Sequence, residues 1–319
     1  MTTIDLNEKN ARKFLHENGV EKCEIKKIAG DASFRSYYRI SSADKSFILM
    51  FAPPAYEKIE PFINIDSFLV ENGFFAPRIF AIDHENGFLL LEDFGDETYG
   101  RIFLRDSSSE ELLYKKAANC LIELHKIAPP KNITTYNHDL LFKEVMLFVD
   151  WYLIHEKKIQ LNLAQKQEFK RLWFELFDLL DDDKTLVLRD FHADNLMLLQ
   201  NQEVGLLDFQ DAVIGSKAYD LISLLEDARR DVSQDLSQKT LQYFLQNSKI
   251  NKEKFLQDYE ILSLQRNIKI LGIFSRLAVR DKKESYLKLL PRVRDHVLKR
   301  ISTNSVILQK ISQFLKNYV

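Results

Sequence analysis

The residues of this chain whose types and spacing suit chemistry lie in Leu188-Arg189-Asp190-Phe191-His192-Ala193-Asp194-Asn195 and, after a short gap, in Asp208-Phe209-Gln210-Asp211. Transfer of a phosphoryl group asks a protein for a carboxylate that orients the attacking hydroxyl and for oxygen ligands that hold Mg²⁺ against the phosphates. Asp190 suits the first role. Asn195, five residues on, and Asp208, thirteen further, suit the second. An Asp-x-x-x-x-Asn spacing alone is commonplace, and the bland reading is a surface Asp with two turn-capping residues. The setting favours chemistry. An apolar strand, Thr185 to Leu188, leads into the stretch, and short strands at 196–199 and 204–207 would form a hairpin that returns Asp208 to the side of Asn195. His192 beside Asp194 does not make a metal pair: the seven histidines are scattered and none offers a second spaced ligand. Bracing of the loop is the better reading of His192.

The elements that must position these residues fall into two styles. A capped helix is predicted over 5–18, with Asp5 or Asn7 at its start and Gly19 at its end. Strands follow near 22–28, 34–40 and 46–51. In the second, Phe34, Ser36, Tyr38 and Ile40 share one face, and Arg35, Tyr37 and Arg39 the other. A helix near 57–72 stops at Gly73, and a hairpin near 78–83 and 87–93 turns at Glu85-Asn86-Gly87. From about residue 109 the pattern is helical: Leu113, Ala117, Leu121 and Leu124 form one stripe, and others follow near 139–155, 163–180, 218–230, 234–248, 254–279 and 284–316. The change of style at Leu91-Glu92-Asp93-Phe94-Gly95-Asp96 predicts an α+β fold of two lobes, a small β-rich one over 1–93 and a larger helical one over 94–319, with a hinge between them and a cleft.

Composition excludes several classes. The 319 residues carry 45 Lys and Arg against 47 Asp and Glu, a net charge of −2, which gives no electrostatic case for nucleic acid or an anionic membrane. Cys23 and Cys120 can build neither a disulfide framework nor a zinc site. The first residues lack a signal-peptide pattern, and the longest apolar stretch, Ile270 to Val279, is interrupted by Arg276 and too short for a bilayer. A cytoplasmic protein is expected. Its oligomeric state is not written in these features.

With a strand-rich lobe, a hinge, a helical lobe and both motifs in order, the whole chain resembles the aminoglycoside phosphotransferase and choline kinase family of small-molecule kinases. Four further segments resemble one branch of it, the bacterial cell-wall amino-sugar kinases, which act at the anomeric hydroxyl of N-acetylmuramate and N-acetylglucosamine. These are Gly30-Asp-Ala-Ser-Phe-Arg-Ser-Tyr-Tyr-Arg39, Leu206-Leu-Asp-Phe-Gln-Asp-Ala-Val213, Tyr219-Asp-Leu221 and Gln265 through Arg280. The resemblance implies a two-lobed protein-kinase-like fold that uses ATP and Mg²⁺, with adenine docked at Glu92, Asp93 and Phe94. It also implies that Asp220 ties down the catalytic-loop backbone. Two positions depart from the family pattern: Leu188 stands where the family has His, and Met50 where a third-strand Lys would pair the phosphates. The glycine loop is reduced to Gly30.

Some residues keep two readings. Arg35 and Arg39 are either solvated strand residues or, for Arg35 so close after Gly30, a phosphate contact. Arg276 and Arg280 interrupt an apolar helix, where an unpaired charge is costly, so either a salt bridge with Asp281 or a substrate contact is expected. Glu226, Asp227 and Asp231 could line a site for a cationic acceptor such as an aminoglycoside, choline or another amino alcohol. Met50 and the single glycine also leave room for a nucleotide-binding module without catalysis.

Overall fold

The structure is a computed structural model that describes residues 6–30, 34–42 and 45–319, with Ala29 and Gly30 described by their backbone. The chain forms two compact units, Met1–Ser107 with Asp194–Asp211, and Ser108–Ala193 with Ala212–Val319.

The first unit begins with helix α1 (Glu8–Glu17), started by the Asn7 side chain, which accepts the Asn10 N–H at 3.2 Å. Strands β1 (Glu24–Gly30), β2 (Ser36–Ser42) and β3 (Lys45–Phe51), helix α2 (Glu60–Glu71), and strands β4 (Ile79–Asp83) and β5 (Phe88–Glu92) follow. The strands pair antiparallel in the order β1-β2-β3-β5-β4. Period-two alternation decides the faces. Tyr38, Ile40, Leu49, Phe51, Phe88 and Leu90 bury one face against Ala11, Phe14 and Leu15 of α1, as the alternation in β2 predicts. Each such large side chain withdrawn from water contributes about 1.5–3 kcal/mol. Gly87 is forced by the hairpin: its φ is +71°, and a Cβ there would lie 1.9 Å from the Ala52 carbonyl oxygen. Helix α3 (Tyr99–Arg105) and a second hairpin, β7 (Leu196–Leu198) and β8 (Val204–Leu206), complete this unit.

The second unit is helical: α4 (Glu110–Leu124), α5 (His138–Leu147) running on as a π-helical stretch to Lys157, α6 (Leu163–Phe177), α7 (Tyr219–Leu225), α8 (Gln234–Asn247), α9 (Lys252–Asp281), α10 (Leu290–Ile301) and α11 (Gln309–Leu315). Helix α9 is its axis. From Ile261 to Leu271 every residue is buried, so polar members of that run must find partners inside. Gly272 permits a close crossing, because a Cβ there would stand 2.2 Å from the Leu147 carbonyl carbon.

Three expectations change. The helix expected over 218–230 stops at Leu225, because Glu226 turns its carboxylate inward to Ser263, Asn267 and Arg300. The span 284–316 is a 3₁₀ turn (Glu284–Leu289) and two helices, with Pro291 near the start of α10 and Ser305 Oγ accepting the Leu308 N–H before α11. A strand went unforeseen: β9 (Val213–Ser216) pairs antiparallel with β6 (Lys184–Val187), and its four residues, one of them Gly215, are too few to show a period.

Candidate active site

In the first unit, the β7–β8 hairpin joins the two proposed metal-binding positions. Leu196 pairs with Leu206, the Leu207 N–H reaches the Asn195 carbonyl at 3.0 Å, and Asn195 Nδ2 stands 3.4 Å from Asp208 Oδ2. Asp208 adopts φ +57°, a left-handed conformation that Asp tolerates better than most residues and that recurs at functional turns. The turn is pinned on both sides. Gln210 Nε2 donates to Asp208 Oδ1 at 2.9 Å, and the fully buried Phe209 packs on Phe62 of α2 with ring centroids 5.0 Å apart.

Arg35 is buried beside this motif, not solvated. Its guanidinium lies 3.4 Å from Glu57 Oε2 and 3.6 Å from Asp211 Oδ2. Burial opposes its charge, yet Tyr37, Asp211, Glu57 and Asp208 outweigh burial and hold its pKa above the ordinary value. Arg39 has a different task. It meets Asp93 at 2.8 Å, Asp96 at 2.9 Å and the Gly95 carbonyl at 3.0 Å, and Ser46 adds a bond to Asp93. The segment after β5 is therefore clamped onto β2 and β3, leaving the Asp93 side chain engaged. The Glu92 N–H donates to the Arg78 carbonyl at 2.9 Å, and the Phe94 ring lies over Gly205 of β8, where a Cβ would meet it at 3.0 Å. Nothing in the spacing of Arg39 announced this clamp. Met50 is buried opposite Tyr37 and Leu89, so its slot holds an apolar side chain. Gly30 ends β1 opposite Ser36, and Asp31, Ala32 and Ser33 lie outside the described residues.

In the second unit, strand β6 delivers the loop that carries Asp190. Both oxygens of the buried Asp220 carboxylate accept from it, Leu188 N–H at 2.7 Å and Arg189 N–H at 2.8 Å. This is the tie that the family resemblance implied, and it needs no His at position 188. Burial pushes the Asp220 carboxyl up to about 7, while the two amide donors pull it down. Arg189 sits at φ +71°, a conformation that costs a non-glycine residue about 1–2 kcal/mol. Its guanidinium turns inward to Glu144 and lies 5.5 Å from the Tyr136 ring centroid. The loop then tightens: Asp190 N–H reaches the Leu188 carbonyl at 2.9 Å, and His192 N–H the Asp190 carbonyl at 3.1 Å. His192 is buried, and burial, Arg229 and Arg266 hold its pKa well below the ordinary value, which keeps it neutral.

The remaining candidates sort themselves. Asp281 pairs with Arg280 through two contacts of 2.8 Å. Arg276 has no such carboxylate among the described residues, and burial and Arg280 lower its pKa. The acidic residues that could have lined a site for a cationic acceptor are already engaged: Glu226 by Arg300 at 2.8 Å, Asp231 by Arg292 at 2.5 Å, and Asp227 by the Arg229 N–H at 2.8 Å. Among the described residues no group of three or more His, Cys, Asp or Glu side chains converges for a metal, and no helix is long and apolar enough to cross a membrane.

Comparison with known proteins places this geometry. The model of a phosphotransferase enzyme family, APH, matches residues 24–256. An N-acetylmuramate/N-acetylglucosamine kinase of Pseudomonas aeruginosa is 34% identical over 281 residues, 86% of this chain and 82% of its own length. One of Caulobacter vibrioides is 31% identical, with 92% of each chain covered. The crystal structure of a choline kinase from Streptococcus pneumoniae superposes with a TM-score of 0.63 at 14% identity, over 92% of this chain and 99% of that one, which shows the protein-kinase-like fold alone. The chain belongs to the APH phosphotransferase enzyme family.

Proposed function

We propose that the protein is an ATP-dependent kinase that phosphorylates the anomeric hydroxyl of N-acetylmuramate or N-acetylglucosamine in the cytoplasm. The observation that carries the substrate is that relatives at 31–36% identity, matched over most of the chain, are N-acetylmuramate/N-acetylglucosamine kinases. In this reading residues 1–93 form the nucleotide-binding lobe and 94–319 the lobe that takes the sugar. Asp190 accepts a hydrogen bond from the sugar hydroxyl and aims its oxygen at the γ-phosphate. A hemiacetal hydroxyl is more acidic than an ordinary alcohol, so a carboxylate suffices as its partner.

Asn195 and Asp208 would hold Mg²⁺, which supplies charge neutralisation along the phosphates. Two adjoining oxygen-bearing side chains fit an ion that keeps several waters and binds through one or two protein ligands plus phosphate. Gly30 and Arg35 would contact the phosphates, Arg35 in place of a third-strand Lys, and Glu92, Asp93 and Phe94 would border the adenine. Choline or an aminoglycoside is disfavoured as acceptor, because Glu226 and Asp231 are already neutralised by arginines. The test incubates the protein with ATP, Mg²⁺ and either sugar and records ³¹P–¹H coupling in the product. Coupling to the anomeric proton is expected. Coupling to the C6 protons, or turnover of choline with both sugars refused, overturns the substrate assignment.

A further inference from the structure

The segment Gln265 through Arg280 stands out in the sequence, yet its buried polar residues have no part in the chemistry proposed above. Helix α9 buries Gln265 and Lys269 completely enough that both need partners within the protein. Lys269 Nζ lies 3.1 Å from Glu144 Oε2 and 3.1 Å from the Tyr219 hydroxyl. Gln265 Nε2 lies 3.3 Å from the Leu141 carbonyl and 3.4 Å from Glu144 Oε2. The Tyr136 hydroxyl donates to the same carboxylate and stands 3.3 Å from the Tyr219 hydroxyl. The other carboxylate oxygen takes the guanidinium of Arg189. One buried carboxylate from α5 thus faces two cations, Arg189 and Lys269, one tyrosine, Tyr136, and one amide, while Tyr219 touches Lys269 and Tyr136 behind them.

Arg189 is the residue immediately before Asp190, and it is held in the left-handed region by two restraints, Asp220 on its amide and Glu144 on its side chain. We propose that Glu144, paired with Lys269 on its other side, is a positioning residue that locks Arg189 and so fixes the backbone turn that presents Asp190. Lys269 is needed because Arg189 alone must both neutralise a buried carboxylate and hold a strained turn. Burial would raise the Glu144 carboxyl, and Lys269 and Arg189 outweigh burial and hold it below the ordinary value. The segment that marks the amino-sugar branch would then serve the catalytic loop through Lys269 and Gln265.

This inference rests on Asp190 as the group that orients the hydroxyl. Asp190→Ala tests that reading separately: full turnover in that variant overturns both it and the positioning role, whereas a loss of turnover in Asp190→Ala with the network variants unaffected overturns the positioning role alone. Glu144→Gln keeps shape and removes charge; it should lower kcat roughly tenfold to a hundredfold, the range for a slightly misplaced catalytic group, with the KM for ATP little changed. Lys269→Met should move the acid limb of the kcat–pH profile up by about one unit, as loss of a nearby opposite charge does to a carboxylate. Lys269→Arg should restore the wild-type limb. Tyr136→Phe leaves all three charges in place and should shift the limb the same way by less, which keeps the test open if Glu144→Gln does not fold. A purely structural network predicts lowered melting temperatures with kcat and its pH profile unmoved. That result, or a Lys269→Met profile that superimposes on wild type, overturns the proposal.

Discussion

At the scale of single residues, the site divides labour between charge and conformation. Asp190→Ala should lower kcat roughly 10²–10⁴-fold, the range for a positioned acid–base group, and Asp208→Ala should raise the Mg²⁺ concentration needed for half-maximal rate. Near-wild-type turnover in either variant would dismiss the assignment. Arg35→Ala should raise the KM for ATP. Arg39→Ala should instead lower the melting temperature, because Arg39 is occupied in clamping Asp93 and Asp96. Similar kinetic effects from both would remove the distinction. Asp220 gives a pH-dependent expectation. Its folded pKa is raised to about 7 from a usual value near 4, so the native state binds the extra proton between those limits. Stability contributed by this group is therefore present at low pH and falls as pH rises from about 4 to 7. Asp220→Asn cannot titrate, so in denaturant unfolding the stability at pH 5 relative to that at pH 8 should be lower than in wild type. An unchanged difference would mean that the two amide donors win over burial.

At the scale of elements, close crossings and short hairpins set the geometry. Helix α9 can cross the end of α5 only because Gly272 has no side chain. Gly272→Ala would push a methyl group into the Leu147 carbonyl, where backbone must move, and should destabilise the protein by about 1–3 kcal/mol. Calorimetry or chemical denaturation measures it, and an unshifted midpoint would show that the helices can part without cost. The same displacement would disturb Glu144 and Lys269, which lie on those two helices, so activity should fall with stability. The β7–β8 hairpin matters for a related reason. Three-residue strands leave little freedom between Asn195 and Asp208, and Phe209 against Phe62 fixes where the turn ends.

At the scale of the whole molecule, the expectation is ligand-linked stability. A nucleotide that binds only the folded protein adds about 2.7 kcal/mol at one hundred times its Kd, so ATP with Mg²⁺ should raise the melting temperature by several degrees. Asp208→Ala should blunt the Mg²⁺-dependent part. A rise without turnover of any sugar would favour a binding module over an enzyme; no rise at all would remove the nucleotide. The sequence by itself determined the two styles of structure, the hydrophobic face of β2, the Gly87 turn and the pairing of Asn195 with Asp208, because period-two alternation, turn chemistry and a short hairpin are local rules. It also carried the family, through separated motifs that are each a short local run of residues. Only the tertiary structure decided what the distant charges do. Arg39 closes on Asp93 and Asp96, Arg300 on Glu226, Arg292 on Asp231, and Lys269 and Arg189 on Glu144, each across more than forty residues of chain. A charged side chain on a strand or helix shows in sequence only that it is charged. Which opposite charge it meets, and whether burial makes that meeting matter, is set by how elements far apart in the chain pack together.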